Sequence, residues 1–266
     1  MTTAYRRAMA FPKDEGGLRR ARIEPAWHTG RGAFGGLMAA AKLQAMAEDV
    51  ADAERTPRSL TVHFCAPAVE EVVLSTEVVR VGSRVAHATA RVSSEGKVVT
   101  FASASFCKDR PDAHDYQHAV MPEVAPASTI PELPAGLPGL PAFFQHFDVR
   151  FCGPTMPFSG AREPRVAAWV RLREPEPIDG PLAAMLLDVL PPAISATFEG
   201  PRAVASVDFT IQLFTRPAAL ALDPAAHHLV TIGSRWAADG YAEEVRDLWS
   251  PQGLLIGQCR QLLALL

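Results

Sequence analysis

Much that would assign this sequence quickly is missing from it. Its 266 residues include only four cysteines, Cys65, Cys107, Cys152 and Cys259, widely spaced and without a CxxC pair. That argues against a disulfide scaffold or a zinc ribbon and suits a reduced, cytoplasmic chain. No apolar run approaches the roughly 20 residues that span a bilayer, so no membrane partner is expected. Met1 to Gly17 carries Arg6 and Arg7 without a long apolar run behind them, and no signal peptide is expected. Charge of one sign is not in excess either. Lys+Arg number 26 and Asp+Glu 29, a formal net charge of −3, which argues against nucleic acid as a partner. There is no GxSxG, so a nucleophile elbow has no support.

Two apparent motifs carry little. Gly30-Arg31-Gly32-Ala33-Phe34-Gly35 has the form GxGxxG, with Asp49 and Asp52 downstream. A dinucleotide site needs an apolar strand before the motif and a βαβ pattern after it, and Glu24 to Thr29 is no such strand. No cofactor is expected. His114 and His118 lie beside Asp112 and Asp115, but the segment leads into prolines, and no metal site is expected.

What is present is a core-forming composition, 48% hydrophobic and 21% charged, in a length that allows one large domain or two small ones. Prolines 122, 126, 131, 134, 138 and 141 fall close together, which excludes a helix or a central strand there. Residues 108–140 read as a linker between residues 1–107 and residues 141–266.

The flanks resemble each other. Gly35 to Val50 is a helical run followed by the strand Ser59 to Cys65; Gly180 to Thr197 is a second helical run followed by the strand Ala203 to Phe214. Each strand is followed by Gly-Ser-Arg (residues 82–84 and 233–235), a strand-like segment, a glycine turn at Gly96 or Gly253, and a final strand, Val98 to Phe106 or Leu254 to Leu263. One helix and several antiparallel strands, twice over, is α+β architecture by internal duplication. From Ala203 to Leu213 apolar residues take the odd positions, which places Ser206, Asp208, Thr210 and Gln212 together on the opposite face. Asp179 is placed to cap the second helix with Pro181 just inside it, and Pro191-Pro192 ends or kinks it, leaving Asp188 in its last full turn.

Taken together, Gly32 to Gly36, Ser59 to Pro67, Phe147 to Arg150, Trp169 to Arg173, Ser206 to Thr210 with Arg216-Pro217, Gly240 to Glu244 and Gly257 to Leu262 resemble the acyl-CoA thioesterase II family. The order and spacing of these stretches carry the likeness. The resemblance implies two tandem hotdog domains, each a curved antiparallel sheet around a central helix, and hydrolysis of an acyl-CoA by an activated water without a covalent intermediate. It implies a trio of a helix Asp, a strand Thr or Ser and a last-strand Gln. Asp188 matches the Asp, Ser206 the hydroxyl residue and Gln261 the glutamine, with Gln258 a competing choice.

The trio suits the chemistry. A thiolate leaves readily, a free thiol having a pKa of only about 8.5, so the demand is for a nucleophilic water and a polarised carbonyl. A carboxylate such as Asp188 can take the water's proton. Ser206 and Gln261 can each donate and accept. Gly35 and Gly36 would open a helix whose N–H groups face the carbonyl oxygen. An Asp among Leu182, Met185, Leu186, Leu187, Val189 and Leu190 is also more than an ordinary solvated residue. Arg58, Arg84, Arg216 and Arg235 are candidates for the CoA phosphates, and His63 and Thr210 for lining the pocket. Aligning the helices from Gly36 and Gly180 sets Gln44 opposite Asp188, so one active site per chain is expected, in a homo-oligomer. The alternatives are a hotdog hydratase or dehydratase using a histidine such as His28, and a non-catalytic acyl-CoA binder.

Overall fold

The computed structural model describes residues 2–110 and 114–266; Asp112 lies outside them. The helices are α1 (Ala4–Ala8), α2 (Gly35–Val50) and α3 (Gly180–Leu186). The first-half strands are β1 (Arg19–Arg22), β2 (His28–Thr29), β3 (Gly32–Ala33), β4 (Thr56–Phe64), β5 (Glu71–Val81), β6 (Val85–Ser94) and β7 (Lys97–Cys107). The second half adds β8 (Phe147–Phe151), β9 (Arg165–Leu172), β10 (Val204–Leu213), β11 (His228–Gly233), β12 (Ala237–Ala238), β13 (Tyr241–Trp249) and β14 (Leu255–Leu265).

One twelve-stranded antiparallel sheet runs through both halves in the order β1-β5-β6-β7-β4-β10-β14-β13-β11-β9-β8, with β12 on β13. This is the α+β tandem hotdog, with the two sheets fused at β4 and β10. At the seam Thr61 pairs with Thr210, their hydroxyl oxygens 3.2 Å apart. Exchanging the halves about that pair lays β4 on β10, β7 on β14 and β6 on β13. The irregularities follow: a bulge between Pro57 and Ser59 matches one between Ser206 and Asp208, and the one at Val92/Ser93 matches Leu248/Trp249. The duplication is thus copied down to single inserted residues, each of which reverses the facing of the strand beyond it.

Helices α2 and α3 fill the concave side. Ten residues of α2 are buried, from Gly36 to Met46, over a first-half floor that includes Ala86, Ala88, Ala90, Ala102 and Ala104. On the other side the linker straps the second half. Met121, Val124, Ala127 and Ile130 cover Ala167, Trp169, Leu229 and Trp249, and the Trp169 indole donates to the Ala125 carbonyl at 2.9 Å. Six prolines keep the strap extended and unable to pair as a central strand, while apolar side chains fasten it. The turn at Glu95-Gly96 has both residues at positive φ, 50° and 76°, the backbone of a tight hairpin.

The second helical run is shorter than its apolar pattern suggests. Asp179 caps it through the Leu182 N–H at 2.8 Å, but regular helix stops at Leu186. Pro191 and Pro192 cannot supply the N–H groups that would continue it, and a short 3-10 turn, Ala193–Thr197, follows. Asp188 therefore lies in the turn just beyond α3, not in the helix. Among the described residues no helix is long and apolar enough to cross a membrane.

Candidate active site

The turn that carries Asp188 is held by two buried charges of β13. Arg246 donates to the carbonyls of Leu187 and Leu190, both at 3.0 Å, so it satisfies the acceptors left open at the end of α3. Glu244 accepts the N–H of Ala193, just past the prolines. The two side chains pair at 2.6 Å and are 2% and 0% exposed. Two opposite charges can share the interior here because each is also hydrogen-bonded to the turn.

Asp188 reaches from that turn to the start of α2. Its Oδ1 lies 3.7 Å from the Arg246 guanidinium. Its Oδ2 would be only 2.9 Å from a Cβ at Gly35, so any side chain there would displace the carboxylate. Burial pushes the carboxyl up to about 6 against the pull of Arg246, with Glu244 raising it further and the Gly36 N–H lowering it. The start of α2 is wedged in place. Phe34 stacks on Phe143 at 3.9 Å, and a Cβ on Gly36 would meet the Phe34 ring at 2.5 Å and the Met185 carbonyl at 3.0 Å. The N–H groups of Gly35 and Gly36 open the helix, where no intrahelical acceptor exists.

Ser206 and Gln261 join through the same charged pair. Ser206 Oγ donates to Gln261 Oε1 at 3.2 Å, and Gln261 Nε2 donates to Glu244 Oε1 at 2.6 Å. The route from Ser206 to Asp188 thus runs through Gln261, Glu244 and Arg246. The bulge at Val207 makes this possible. Beyond it Phe209, Ile211 and Leu213 face inward and are buried, while before it the facing is reversed, so Ser206 does not share the face of Asp208, Thr210 and Gln212. Gln261 is 3% exposed on the inner face. Gln258 has the opposite facing and donates to Asp247 at 2.7 Å.

The other sequence-derived residues are not gathered here. Thr210 bonds Thr61 on the outer face, and His63 stacks on Phe101 at 4.6 Å on that same face. Arg58 and Arg216 converge on the Asp109 carboxylate at 3.1 and 2.9 Å, and Arg84 donates to the Asp109 carbonyl. That cluster sits at the far end of β10 from Ser206, where it ties the linker to both halves. Arg235 pairs with Glu243, beside the strand ends that carry Ser206 and Gln261, and is exposed. Glu244 and Arg246 were not singled out from the sequence as site residues. Their signal is phase: before the bulge at Leu248/Trp249 the buried positions of β13 are Ala242, Glu244, Arg246 and Leu248, two opposite charges on the apolar side of a strand.

Two family models match the chain: an acyl-CoA thioesterase N-terminal domain over residues 23–107 and an acyl-CoA thioesterase C-terminal domain over residues 121–265. No curated protein matches. Among solved structures, a conserved hot dog fold protein of unknown function from Alicyclobacillus acidocaldarius is 26% identical, covering 100% of this chain and 99% of its own, with a TM-score of 0.90. A tesB protein from Mycobacterium avium subs paratuberculosis is 19% identical over 98% of this chain and 98% of its own, TM-score 0.80. An acyl-CoA thioesterase II from Mycobacterium marinum is 21% identical over 99% and 98%, TM-score 0.77. With both of its halves matched in order, the chain belongs to the acyl-CoA thioesterase family and is a thioesterase.

Proposed function

We propose that the chain hydrolyses an acyl-CoA to the free acid and CoA by attack of an activated water, with Asp188 as general base and Ser206 and Gln261 orienting the water. The observation that carries this is the placement of Asp188: a carboxylate with its pKa near 6, against the opening N–H groups of α2, tied through Arg246 and Glu244 to Gln261 and Ser206. In the first step the water oxygen bonds to the thioester carbon while its proton passes to Asp188. The carbonyl oxygen, gaining charge, faces the start of α2. The tetrahedral intermediate then collapses, the C–S bond breaks, and the thiolate takes the proton back from Asp188. A base with a pKa near 6 is ionised at neutral pH yet can still hold the proton between steps.

A covalent cysteine route has little to support it. Burial raises the Cys152 thiol to about 11 and the Cys259 thiol further still. A hydratase would need an acid–histidine pair, and His28 Nε2 has no hydrogen-bond partner among the described residues.

The test is thiol release across short, long, branched and aromatic acyl-CoAs, comparing wild type with Asp188→Asn. Removing a general base lowers kcat by about 10²- to 10⁴-fold. An unchanged rate would overturn the assignment, and tight acyl-CoA binding with no thiol release by the wild type would make the chain a binder.

A further inference from the structure

The two faces of the sheet are covered unequally. Helices α2 and α3 fill the concave side. On the outer side the strap lies over Ala167, Trp169, Leu229 and Trp249. From β6 to β13 the outer side is open: Arg91, His87, Phe101, Ser103, Gln212 and Arg260 are exposed along it. A face left to water ordinarily carries charge throughout. Here the middle is small and neutral, with Ser59, Thr61, Ser103, Ser105 and Thr210 facing outward around the seam.

The charges stand at the flanks, sorted by sign. The row that crosses the seam at His63 and Asp208 reads Arg91, Phe101, His63 on the first half and Asp208, Leu262, Glu243 on the second. The row that crosses at Ser59 and Gln212 starts at His87 on β6 and ends at Asp247 on β13. In these rows and the one between them, the first-half side has Arg91, His87 and His63 and no acid. The second-half side has Asp208, Glu243 and Asp247 against Arg260. Glu243 also holds Arg235 of its own chain, and its Oε2 has no hydrogen-bond partner among the described residues.

This pattern fits a second copy of the same face. Stacked sheets lie about 10 Å apart with their strands nearly aligned, and two placements keep that alignment. With a two-fold axis across the strands, each half meets its own copy. Arg91 then faces the partner's His87, and Glu243 faces the partner's Asp247, like charge on like. With the axis along the strands at the seam, each half meets the other. Arg91 then faces the partner's Glu243, His87 the partner's Asp247 and His63 the partner's Asp208, while Phe101, 40% exposed, meets the partner's Leu262. Juxtaposed like charges cost several kcal/mol, so the second placement is selected. Being convex, two such faces touch at the small seam residues and part toward β6 and β13, where Arg91 and Glu243 have the length to span the gap.

We propose that two copies of the chain dock back to back through this face, about a two-fold axis that runs along the strands at the seam. The experiment is sedimentation equilibrium over a micromolar dilution series. It compares wild type, Arg91→Glu, Glu243→Arg, the two combined, and Thr61→Arg. The wild type should run at twice the chain mass or a multiple of it. Each single charge variant sets like charge on like at two symmetric places and should weaken association about 100-fold or more, halving the observed mass. The combined variant restores both pairs with the signs exchanged and should regain the wild-type mass. Thr61→Arg sets a long cation at the axis and should halve the mass without touching either pair. All four positions face outward, and circular dichroism matching wild type would show that each variant is folded. A monomeric wild type, or wild-type mass in the single variants and Thr61→Arg, would overturn the proposal. A combined variant that stays at the halved mass would overturn the pairing of Arg91 with the partner's Glu243, and with it the choice of axis.

Discussion

Burial of the Asp188 carboxyl costs the fold stability. Its folded pKa of about 6 lies above the ordinary 3.8, so between pH ~4 and ~6 the folded chain holds a proton that the unfolded chain has released. Stability must therefore fall as pH rises through that window and level off above it. The shift corresponds to ~3 kcal/mol. Asp188→Asn should be more stable than wild type by up to about that amount at pH 8 and no more stable at pH 4, as measured by denaturant unfolding at the two pH values. An equal gain at both would mean the carboxyl is not destabilised by burial. Glu244 makes a second prediction at this scale. Its charge raises Asp188, and its pairing draws Arg246 away. In Glu244→Gln both effects are relieved, so the acidic limb of kcat/KM should move below pH 6. The same variant leaves Arg246 short of its main partner, at a cost of roughly 3–5 kcal/mol. A stability loss with an unmoved acidic limb would make Glu244 purely structural. Asp188 was legible in the sequence because an ionisable residue stood in an apolar helix. Glu244 and Arg246 were not, because their significance depends on the strand phase, and phase is fixed only once the neighbouring strands are paired.

At the scale of elements, a bulge and a helix start do the positioning. The alternation from Ala203 to Leu213 suggested one uninterrupted strand. The inserted residue at Val207 breaks that phase and turns Ser206 inward to Gln261, and a single unpaired residue leaves no compositional trace. The end of α3 is a similar case. The apolar pattern runs on to Thr197, but the prolines stop the hydrogen bonding, and Arg246 and Glu244 take over the freed backbone groups. The opening of α2 yields a paired prediction. In Gly35→Ala the new methyl meets the Asp188 carboxylate and the edge of Phe64, both of them side-chain groups that can give way. The expected result is a kcat reduced about 100-fold by displacement of the base, with a thermal melt close to wild type. In Gly36→Ala the methyl meets the Phe34 ring and the backbone carbonyl of Met185. Backbone cannot give way cheaply, and a loss of about 1–3 kcal/mol in unfolding free energy is expected. If both variants lost stability equally, the start of α2 would be a packing joint only.

The whole molecule is a duplication in which only the second half carries the polar network around Asp188. Duplication was legible from the repeated order of helix, strand, Gly-Ser-Arg and glycine turn, since each half must rebuild the same sheet. What happened to the second site was legible only in part, as Gln44 opposite Asp188. In the structure Gln44 bonds Glu48 along its own helix at 2.9 Å. The exchange of halves about Thr61 and Thr210 supplies the remaining counterparts. Glu244 corresponds to Ala88, Arg246 to Ala90, Gln261 to Ala104 and Ser206 to Pro57. These four polar groups are each replaced by a residue that can neither donate nor accept through its side chain. Pro57, the counterpart of Ser206, packs against the start of α3, where a Cβ on Gly180 would lie 2.6 Å from its ring. The alanines that take the place of the network, Ala88, Ala90 and Ala104, are part of the buried floor beneath α2. The role proposed for Asp188 therefore predicts one catalytic site per chain. Calorimetric titration of Asp188→Asn with an acyl-CoA should therefore saturate at one equivalent per chain. Asp188→Asn should also cut total thiol release by about 10²- to 10⁴-fold, because Gln44 rather than a carboxylate stands opposite Asp188 in the first half. Two equivalents bound, or a residual rate near half of wild type, would show that the first half still works.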